Sequence, residues 1–585
     1  MDAARSGACA LTTTNADIAR LFREMADLLE LQGGNTFRIR AYTNAARTVE
    51  DLPEPVAETA AGNPDALAEL PGIGKDLAGK IAEIVRTGTF KAYQEVRREV
   101  PRGLTDLMRV PGLGPKKARA LYDALGIHTL HQLEKAAKQG RIRSIKGFGG
   151  KTEERILREL ARRSEEGERT QRAVAAQYAE AFLAYLRGLK GVKRAEIAGS
   201  YRRCRDTVGD LDILVTAGPR SGVVEKFTSW ENVSDVLAAG DTKASVRLRS
   251  GLQVDLRVLK AESYGAGLYY FTGSKSHNIA VRRIAQRRGL KINEYGVFRG
   301  RKQVAGRDEE DVFQAVGLPW IPPELRENRG EIEAARDGQL PELVELRDMR
   351  GDLQSHTTDS DGRNTLEEMA RAAEDRGHEY FAVTDHSPAL RMVQGLDRAG
   401  FRRQGRAIDK LNGKLGKLTV LRGAEVDILR DGSLDLDDET LAELDVVVIS
   451  AHSFLDLPEG EQTRRLVRAV SHPSADILGH PTGRIIGKRR GMRFDFDEVV
   501  RAAVDNGVIL EVNAQPDRMD FDDVACHAVL DRGGKISIST DAHAIAELDF
   551  LRWGVDQARR GWAEKRDVVN TLPLSKFRKL LHGAR

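Results

Sequence analysis

The sequence predicts a multidomain α/β protein with an all-α amino-terminal third, an α+β middle and an α/β barrel at the carboxyl end. Three observations predict it. Length is the first: 585 residues exceed one hydrophobic core, since single cores stop growing near roughly 250–300 residues. Periodicity is the second. Helical apolar spacing dominates the front, strict alternation appears at Leu252–Val258, and from Phe381 onward short apolar runs alternate with polar helical patterns. The third is a glycine turn, apolar-x-Gly-apolar-Gly, that recurs three times in the first third.

Charged residues make up 31% of the chain, and the formal net charge is +4, so the sign of the whole says little. The distribution says more. Pro71 to Leu121 carries 11 Lys/Arg against 5 Asp/Glu, a basic front suited to phosphate backbones, whereas Asp431 to Asp445 is crowded with acids. Cys9, Cys204 and Cys526 are far apart and odd in number, which suits a reducing cytosol with neither a disulfide frame nor zinc-finger spacing. No apolar run approaches the roughly 20 residues that span a bilayer, and the first residues lack a secretory apolar region.

Residues 1–14 read as a flexible tail. Asn15-Ala16-Asp17 is placed to cap a helix running to about Leu31, with Ile18, Leu21, Phe22, Met25 and Leu28/Leu29 on one stripe. A second helix starts near Phe37. The recurring turn then appears as Leu70-Pro71-Gly72-Ile73-Gly74-Lys75, as Val110-Pro111-Gly112-Leu113-Gly114-Pro115-Lys116-Lys117, and as Ile145-Lys146-Gly147-Phe148-Gly149-Gly150-Lys151. The glycines permit a tight turn and close approach, and the following helix start presents N–H groups and positive dipole to a phosphate. These segments resemble the helix-hairpin-helix motif, which grips DNA backbone without reading sequence. On that resemblance Gly72, Gly74, Lys75, Lys80, Gly112, Gly114, Lys116 and Lys117 bind DNA. The first hairpin also resembles the small amino-terminal domain of polymerase beta, where a lysine eight residues after the first hairpin glycine forms a Schiff base with an abasic sugar. That position is Lys80. Asp76 stands where the family carries a DNA-contacting lysine, so Lys80 reads as a phosphate-binding cation rather than a nucleophile.

The middle is organised around Gly199-Ser200-Tyr201-Arg202-Arg203 and the strand pattern Asp210-Leu211-Asp212-Ile213-Leu214-Val215. Residues i and i+2 of a strand share a face, roughly 7 Å apart. Two carboxylates that close repel unless a cation lies between them, and a hard divalent ion brings a phosphate with it. Leu252-Gln253-Val254-Asp255-Leu256-Arg257-Val258 alternates strictly, and an antiparallel neighbour would bring Asp255 beside Asp210 and Asp212. A bland reading makes each Asp a solvated strand residue; the Gly-Ser turn ahead and the third Asp behind favour nucleotidyl transfer. The pattern resembles the polymerase-beta nucleotidyltransferase superfamily, with two-metal phosphoryl transfer on Asp210, Asp212 and Asp255 as catalytic residues. Leu268-Tyr269-Tyr270-Phe271-Thr272-Gly273-Ser274 is similar to the family's Tyr-Phe-Thr-Gly-Ser segment. The resemblance assigns Gly199, Ser200, Arg203, Gly209, Tyr270, Phe271, Gly273, Asn278 and Arg282 to the nucleotide site, with Arg203 on the triphosphate and Arg282 on the template strand.

The stretch from about 319 to 347 reads as a linker. Beyond it, metal-type residues follow nearly every apolar run: His356, Asp385-His386, Glu425 and Asp427, His452, His480, and Asp541-Ala542-His543. Barrel sites gather at strand C-termini. A single His there is more often structural; so many at equivalent ends favour a multinuclear site. Asp352–His356, Ser360-Asp361-Gly362, Thr384–Ser387, Ser450–Ser453 and Thr540–His543 resemble the polymerase-and-histidinol-phosphatase (PHP) domain. The resemblance assigns His356, Asp361, His386, Glu425, His452, His480, Asp541 and His543 as ligands, Glu425 bridging. The family's first His-x-His histidine is Gln354 here, a weak neutral donor, so one of three metal positions is expected to be weakened.

The whole is similar to bacterial family X DNA polymerases with a C-terminal PHP domain. The implied fold is an all-α helix-hairpin-helix N-terminal domain, an α+β nucleotidyltransferase palm and thumb, and a distorted α/β (PHP) barrel. The expected divisions are a tail at 1–14, a lyase-like helical domain at 15–90, a fingers-like hairpin domain at 91–165, a palm at 166–260, a thumb at 261–318, a linker at 319–347 and a phosphoesterase domain at 348–585. The implied activities are gap-filling synthesis, Mn-dependent 3′–5′ exonuclease and 3′-phosphatase, with AP endonuclease as a further one. The implied cofactors are Mg²⁺ or Mn²⁺ at the aspartates and Mn²⁺ and/or Zn²⁺ at the PHP site. The implied partners are gapped or nicked DNA and dNTP, for a cytoplasmic, nucleoid-associated monomer without membrane contact. Two readings compete: a polymerase whose PHP domain is only structural, and a DNA nuclease whose polymerase-like half merely clamps DNA. A small-molecule phosphatase ranks last, because it would not need the hairpins.

Overall fold

The computed structural model describes residues 13–582 apart from 51, 53–55, 63, 71, 102, 109, 111–112, 167–168, 219 and 391–392; Gly112 and most of the expected tail lie outside the described residues. The chain divides into two compact units, Met1–Thr170 with Val174–Ile197 and Thr207–Lys260, and Gln171–Ala173 with Ala198–Asp206 and Ala261–Arg585.

In the first unit, helix Asn15–Leu31 serves two cores. Ile18, Phe22 and Met25 pack with Tyr42, Ile81 and Phe90, while Leu28 and Leu31 pack with Leu113, Leu121 and Phe148. Its cap is Thr14 rather than the expected Asn15: Thr14 Oγ1 accepts from the Asp17 N–H at 3.1 Å, and the Asp17 carboxylate accepts from the Thr14 N–H at 3.2 Å. Asn15 is already helical, and its Oδ1 accepts from the Val56 N–H. Helix Lys75–Thr87 starts at Gly74 and helix Pro115–Leu125 at Gly114, each without a side-chain cap. The helix starts therefore keep their N–H groups for another acceptor. Gly72 holds φ at +73°, a conformation that side chains other than glycine resist.

The unit's sheet runs Val192–Ile197, Asp210–Ala217, Gln253–Val258, Lys243–Leu248, Val233–Ala239 in spatial order. The expected antiparallel pairing of the two Asp-bearing strands is overturned: they run parallel, with Asp212 opposite Asp255. The connection explains it. After Ala217 the chain crosses through helix Val223–Thr228 to the far edge, and an antiparallel meander of three strands brings the third back inward in the direction of the first.

In the second unit, helices Tyr264–Thr272 and Lys275–Arg287 and the three-stranded sheet of Lys291–Asn293, Gly296–Arg299 and Lys302–Ala305 enclose a core of Tyr269, Val281 and Phe313. The stretch read as a linker packs into this core through Ile321, Leu325, Ile332 and Leu343, and Arg326 within it is fully buried. Seven strands follow in sequential spatial order, every neighbour parallel: Gly351–Asp352, Tyr380–Val383, Thr419–Asp427, Val446–Ser450, Ile477–Leu478, Ile509–Asn513 and Ile536–Ser539. A parallel bridge from Ser355 to Ala542 links the first strand to the last, so the barrel is nearly closed. Parallel neighbours require crossovers, and helices such as Leu366–Asp375, Arg398–Asn412 and Glu459–Val470 supply them. The strands are buried on both faces and accordingly read as continuous apolar runs. Phe577 stacks on Tyr380 at 5.4 Å within the cluster that holds Val446, Val448 and Ile509. Burying such a ring contributes about 2–3 kcal/mol.

Candidate active sites

Asp210 and Asp212 alternate onto one face of their strand, and the parallel register sets Asp255 beside Asp212 on that face. Leu211, Ile213, Val254 and Leu256 turn the other way and are fully buried, which fixes the orientation of the acids. Gln253 donates to Asp255 Oδ1 at 3.2 Å. Partial burial pushes the Asp210 carboxyl up, the Asp255 charge adds to it, and Arg169 opposes. Three hard oxygen donors on one face, one disfavoured as an anion, are a donor set suited to Mg²⁺ or Mn²⁺. Gly209 precedes them, and a side chain there would lie 3.5 Å from Arg169.

The other residues expected at the nucleotide belong to the second unit. Gly199, at φ +64°, opens the short helix Gly199–Arg202 that carries Ser200. Arg203 donates to the Thr272 carbonyl at 2.5 Å and to Glu327 at 3.0 Å. A triphosphate on Arg203 therefore competes with Glu327. Arg202 forks onto Glu309 at 2.7 and 2.9 Å and donates to Thr272 Oγ1 at 2.8 Å. Asn278 donates to the Tyr270 carbonyl at 2.8 Å, Arg282 to the Asn278 carbonyl at 3.2 Å, and the Tyr270 and Phe271 rings meet edge-on at 5.2 Å. A side chain on Gly273 would lie 3.2 Å from Arg203. These residues form one group around Thr272 and its neighbours. Sequence reasoning missed its organiser, Glu309, which also accepts from Arg326 at 2.6 Å and from the Trp320 indole at 2.8 Å.

At the hairpins, Lys80 pairs with Asp76 and its Nζ lies 5.5 Å from the Tyr42 ring centroid. Lys75, Lys80, Glu83 and Lys91 line an open cavity of about 470 Å³. Lys117 Nζ lies 5.8 Å from the Phe148 ring, and Lys116 is exposed.

The barrel brings together the residues expected as its ligands. Glu425 lies at the centre, within its strand. Its Oε2 is 3.4 Å from His356 and 3.3 Å from His386, and its Oε1 is 3.3 Å from His452 and 2.8 Å from His480. Asp361 lies 3.6 Å from His386 and 3.4 Å from His543, and Asp541 lies 3.1 Å from His356. Among the described residues three groups have donor atoms close enough to share an ion: His356, Asp361, His386 and His543; His386, Glu425 and His452; and His356, Glu425 and Asp541. Buried imidazole nitrogens on His356 and His480 have no hydrogen-bond partner, so the donor set fits a cation. Mixed imidazole and carboxylate donors suit Mn²⁺ or Zn²⁺.

Charge follows this interleaving. Burial alone would raise Glu425, but His452 and His386 outweigh it and hold the carboxyl well below its ordinary range. Asp361 is likewise held low against burial by His386 and His543. Burial opposes protonation of His452 and His543, yet Glu425 with Asp427, and Asp361 with Asp541, push them up to about 10. Protons thus hold positions for which cations compete.

Gln354 is fully buried, and neither polar atom of its side chain has a partner. Its amide reaches Gly479, where a Cβ would lie 3.3 Å from the Gln354 oxygen and 2.6 Å from Ser450 Oγ. Three supporting residues were not assigned as ligands from the sequence: Glu511 and Arg518, which were not named at all, and Asp385, named only among the metal-type residues at strand ends. Glu511 accepts from the His480 N–H at 2.7 Å, and burial together with Asp541 and Glu425 pushes its carboxyl well up. Asp385 accepts from the Thr357 N–H at 2.8 Å and from Gln404 at 2.6 Å. Arg518 lies 3.8 Å from Asp541. An acid inside the apolar run Ile509–Val512 was the available signal for Glu511.

Comparison with known proteins places family models on four stretches of the chain. The helix-hairpin-helix domain family matches residues 13–90, the SAM-like helix-hairpin-helix tandem 104–162, the DNA polymerase beta thumb 267–327 and the PHP domain 352–515. The DNA polymerase/3′-5′ exonuclease PolX of Bacillus subtilis (strain 168) is 38% identical over 562 residues, 95% of this chain and 97% of the relative. DNA polymerase lambda of Arabidopsis thaliana is 26% identical over 53% of this chain and 62% of its own length. A probable phosphatase of Photobacterium profundum is 30% identical over 34% of this chain and 79% of its own length. With donor sets of two kinds and a relative this similar from end to end, the chain belongs to the bacterial family X DNA polymerases that carry a C-terminal PHP domain.

Proposed function

We propose that this chain fills short gaps in DNA and trims 3′ ends. It is a DNA polymerase by family, and its PHP domain is a phosphoesterase with 3′–5′ exonuclease activity. The single observation that supports the pairing of activities is placement: Asp255 in register beside Asp212 on one strand face, and Glu425 among four imidazoles. In this reading Asp210, Asp212 and Asp255 hold Mg²⁺ or Mn²⁺, and Asp255 takes the proton of the primer 3′-hydroxyl. Arg203 holds the triphosphate of the dNTP, Tyr270 and Phe271 flank its sugar, Asn278 meets the new pair and Arg282 the template. The hairpin glycines and lysines, Gly72, Gly74, Lys75, Gly114, Lys116, Lys117 and Lys80 among them, hold the phosphates of gapped or nicked DNA.

At the barrel, His356, Asp361, His386, Glu425, His452, His480, Asp541 and His543 hold Mn²⁺ and/or Zn²⁺. Bound cations supply positive charge to phosphoryl oxygens and a nucleophilic hydroxide from water. Asp427 and Glu511 orient the imidazole of His452 and the backbone of His480. The seven-segment division given above, a cytoplasmic nucleoid-associated place and a monomeric state belong to this reading. Among the described residues no helix is long and apolar enough to cross a membrane.

The test is a one-nucleotide gapped duplex with and without dNTPs, in Mg²⁺ and in Mn²⁺. Extension lost in Asp255→Ala but kept in His452→Ala, with 3′ degradation behaving in reverse, supports the assignment. Degradation that survives His452→Ala and Glu425→Ala would leave the barrel a structural platform.

A further inference from the structure

Phe454 is an exposed aromatic two residues after His452, with 46% of the residue open to solvent. Its backbone sits at φ +57°, a region that a bulky side chain avoids unless its surroundings impose it. The surroundings do impose it. Fully buried Arg465 donates to the Ser453 carbonyl at 3.0 Å and the Phe454 carbonyl at 3.3 Å, and also to Leu429 and Ile428 just beyond Asp427. The turn is therefore pinned from below while its ring stays open. Arg430 and Arg465 place guanidinium carbons 5.6 and 5.9 Å from the ring centroid.

A basic hairpin adjoins this turn. Gly483, three residues after His480, packs against Leu455, 3.6 Å from where its Cβ would be. The chain then reverses, Ile485 and Arg489 exchanging backbone bonds of 2.8 Å, and presents Lys488, Arg489 and Arg490 to solvent. The Ile486 N–H donates to the Asp517 carbonyl, next to Arg518 at Asp541. An open ring and a cationic hairpin thus both border the ligand cluster. A stacking surface with cations beside it is how single-stranded nucleic acid is held without sequence readout.

We propose that Phe454 is the platform on which the 3′-terminal base of a DNA strand stacks, with Lys488 and Arg490 taking the phosphates upstream of it. The proposal rests on the exonuclease reading of the barrel and adds where the terminal nucleotide sits.

The test is a cycle between the ring and the base. Full-length protein degrades, in Mn²⁺, a single-stranded oligonucleotide ending in a normal nucleotide and the same strand ending in a tetrahydrofuran residue that lacks a base. Wild type is expected to favour the base by about tenfold in kcat/KM. Phe454→Ala and Phe454→Leu bring the two substrates to within about twofold, through a higher KM for the normal end, and Phe454→Trp keeps the preference. Lys488→Gln and Arg490→Gln each lower the salt dependence of KM, by about 0.7 in the log–log slope. A merely structural role for Phe454 lowers both substrates alike. That result, or a preference that survives Phe454→Ala, overturns the platform. Failure of wild type to degrade either strand overturns the exonuclease reading itself, and the platform with it.

Discussion

The two donor sets of this chain solve the same problem in opposite ways. The aspartates of the sheet are partly exposed and alike in charge, and partial burial, with the Asp255 charge adding to it, raises Asp210. In the barrel set Glu425, His356, His386, His480 and Asp541 are buried, Asp361, His452 and His543 are partly exposed, and carboxylates alternate with imidazoles, so its members neutralise each other even before an ion arrives. A site made only of acids gains most from a cation that comes and goes with substrate. A site of acids paired with imidazoles is partly neutralised by its own members, and an ion that enters it must displace their protons.

The largest test of that contrast is reciprocal. Asp255→Ala should cost primer extension on the order of a thousandfold or more while leaving 3′ degradation within about twofold, and Glu425→Ala should do the converse. Gapped-duplex assays of both variants check it. Equal loss of both activities in either variant would mean that the sites are not separable, and the contrast would lose its meaning.

A third acid sharpens the comparison, because it is paired in advance like the barrel set but has only protein partners. Glu309 is buried among Arg202, Arg326 and Trp320. Burial pushes its carboxyl up, yet Arg326 and Arg202 outweigh burial and hold it far below its ordinary value of 4.5. A depressed carboxyl adds stability that is present above the unfolded value and is lost as pH falls toward the folded one. Glu309→Gln should therefore destabilise by about 3 kcal/mol near neutral pH, since it strands a fully buried Arg326. The gap between wild type and variant should narrow below about pH 4. Urea midpoints across that range measure it, and a gap that widens in acid would show that Glu309 is not ionised in the fold.

Gln354 tests the barrel from inside. Its amide is buried without a partner and lies against Gly479, next to ligand His480. Gln354→His should raise Mn²⁺ or Zn²⁺ retention through gel filtration, with the weakest-held ion tightening by about tenfold, because imidazole is the better donor. Metal content per chain by mass spectrometry reads it directly. Unchanged content would indicate that this side chain faces the barrel interior rather than an ion.

Much of this was legible in the sequence, and the limits are physical. The Asp alternation and the His and acid residues behind each apolar run are local patterns, so they pointed to faces and strand ends before any fold existed. Strand direction was not legible, because the parallel run of Asp212 and Asp255 depends on a crossover through Val223–Thr228 and a meander at the far edge. Glu309 was missed because its partner Arg202 is 107 residues away and nothing local distinguishes it from a helix-capping acid. Glu511 and Asp385 support ligands through backbone and side-chain bonds that exist only once the barrel closes.

The smallest expected effect concerns a cation paired in advance. Lys80 is engaged by Asp76 and lies over the Tyr42 ring, both of which accommodate positive charge. A Schiff base needs the amine nitrogen free to attack a carbonyl carbon, and here the nitrogen is engaged by the Asp76 carboxylate. Lys80→Ala should weaken binding to gapped DNA only a few-fold, as expected for one phosphate contact among many, and more at low salt than at high. Borohydride should trap little adduct between wild type and an abasic site, and Asp76→Asn should increase the yield by freeing the nitrogen. Strong trapping by wild type that disappears in Lys80→Ala would reverse the assignment, making the acid at position 76 a proton acceptor for a working nucleophile rather than a counter-charge.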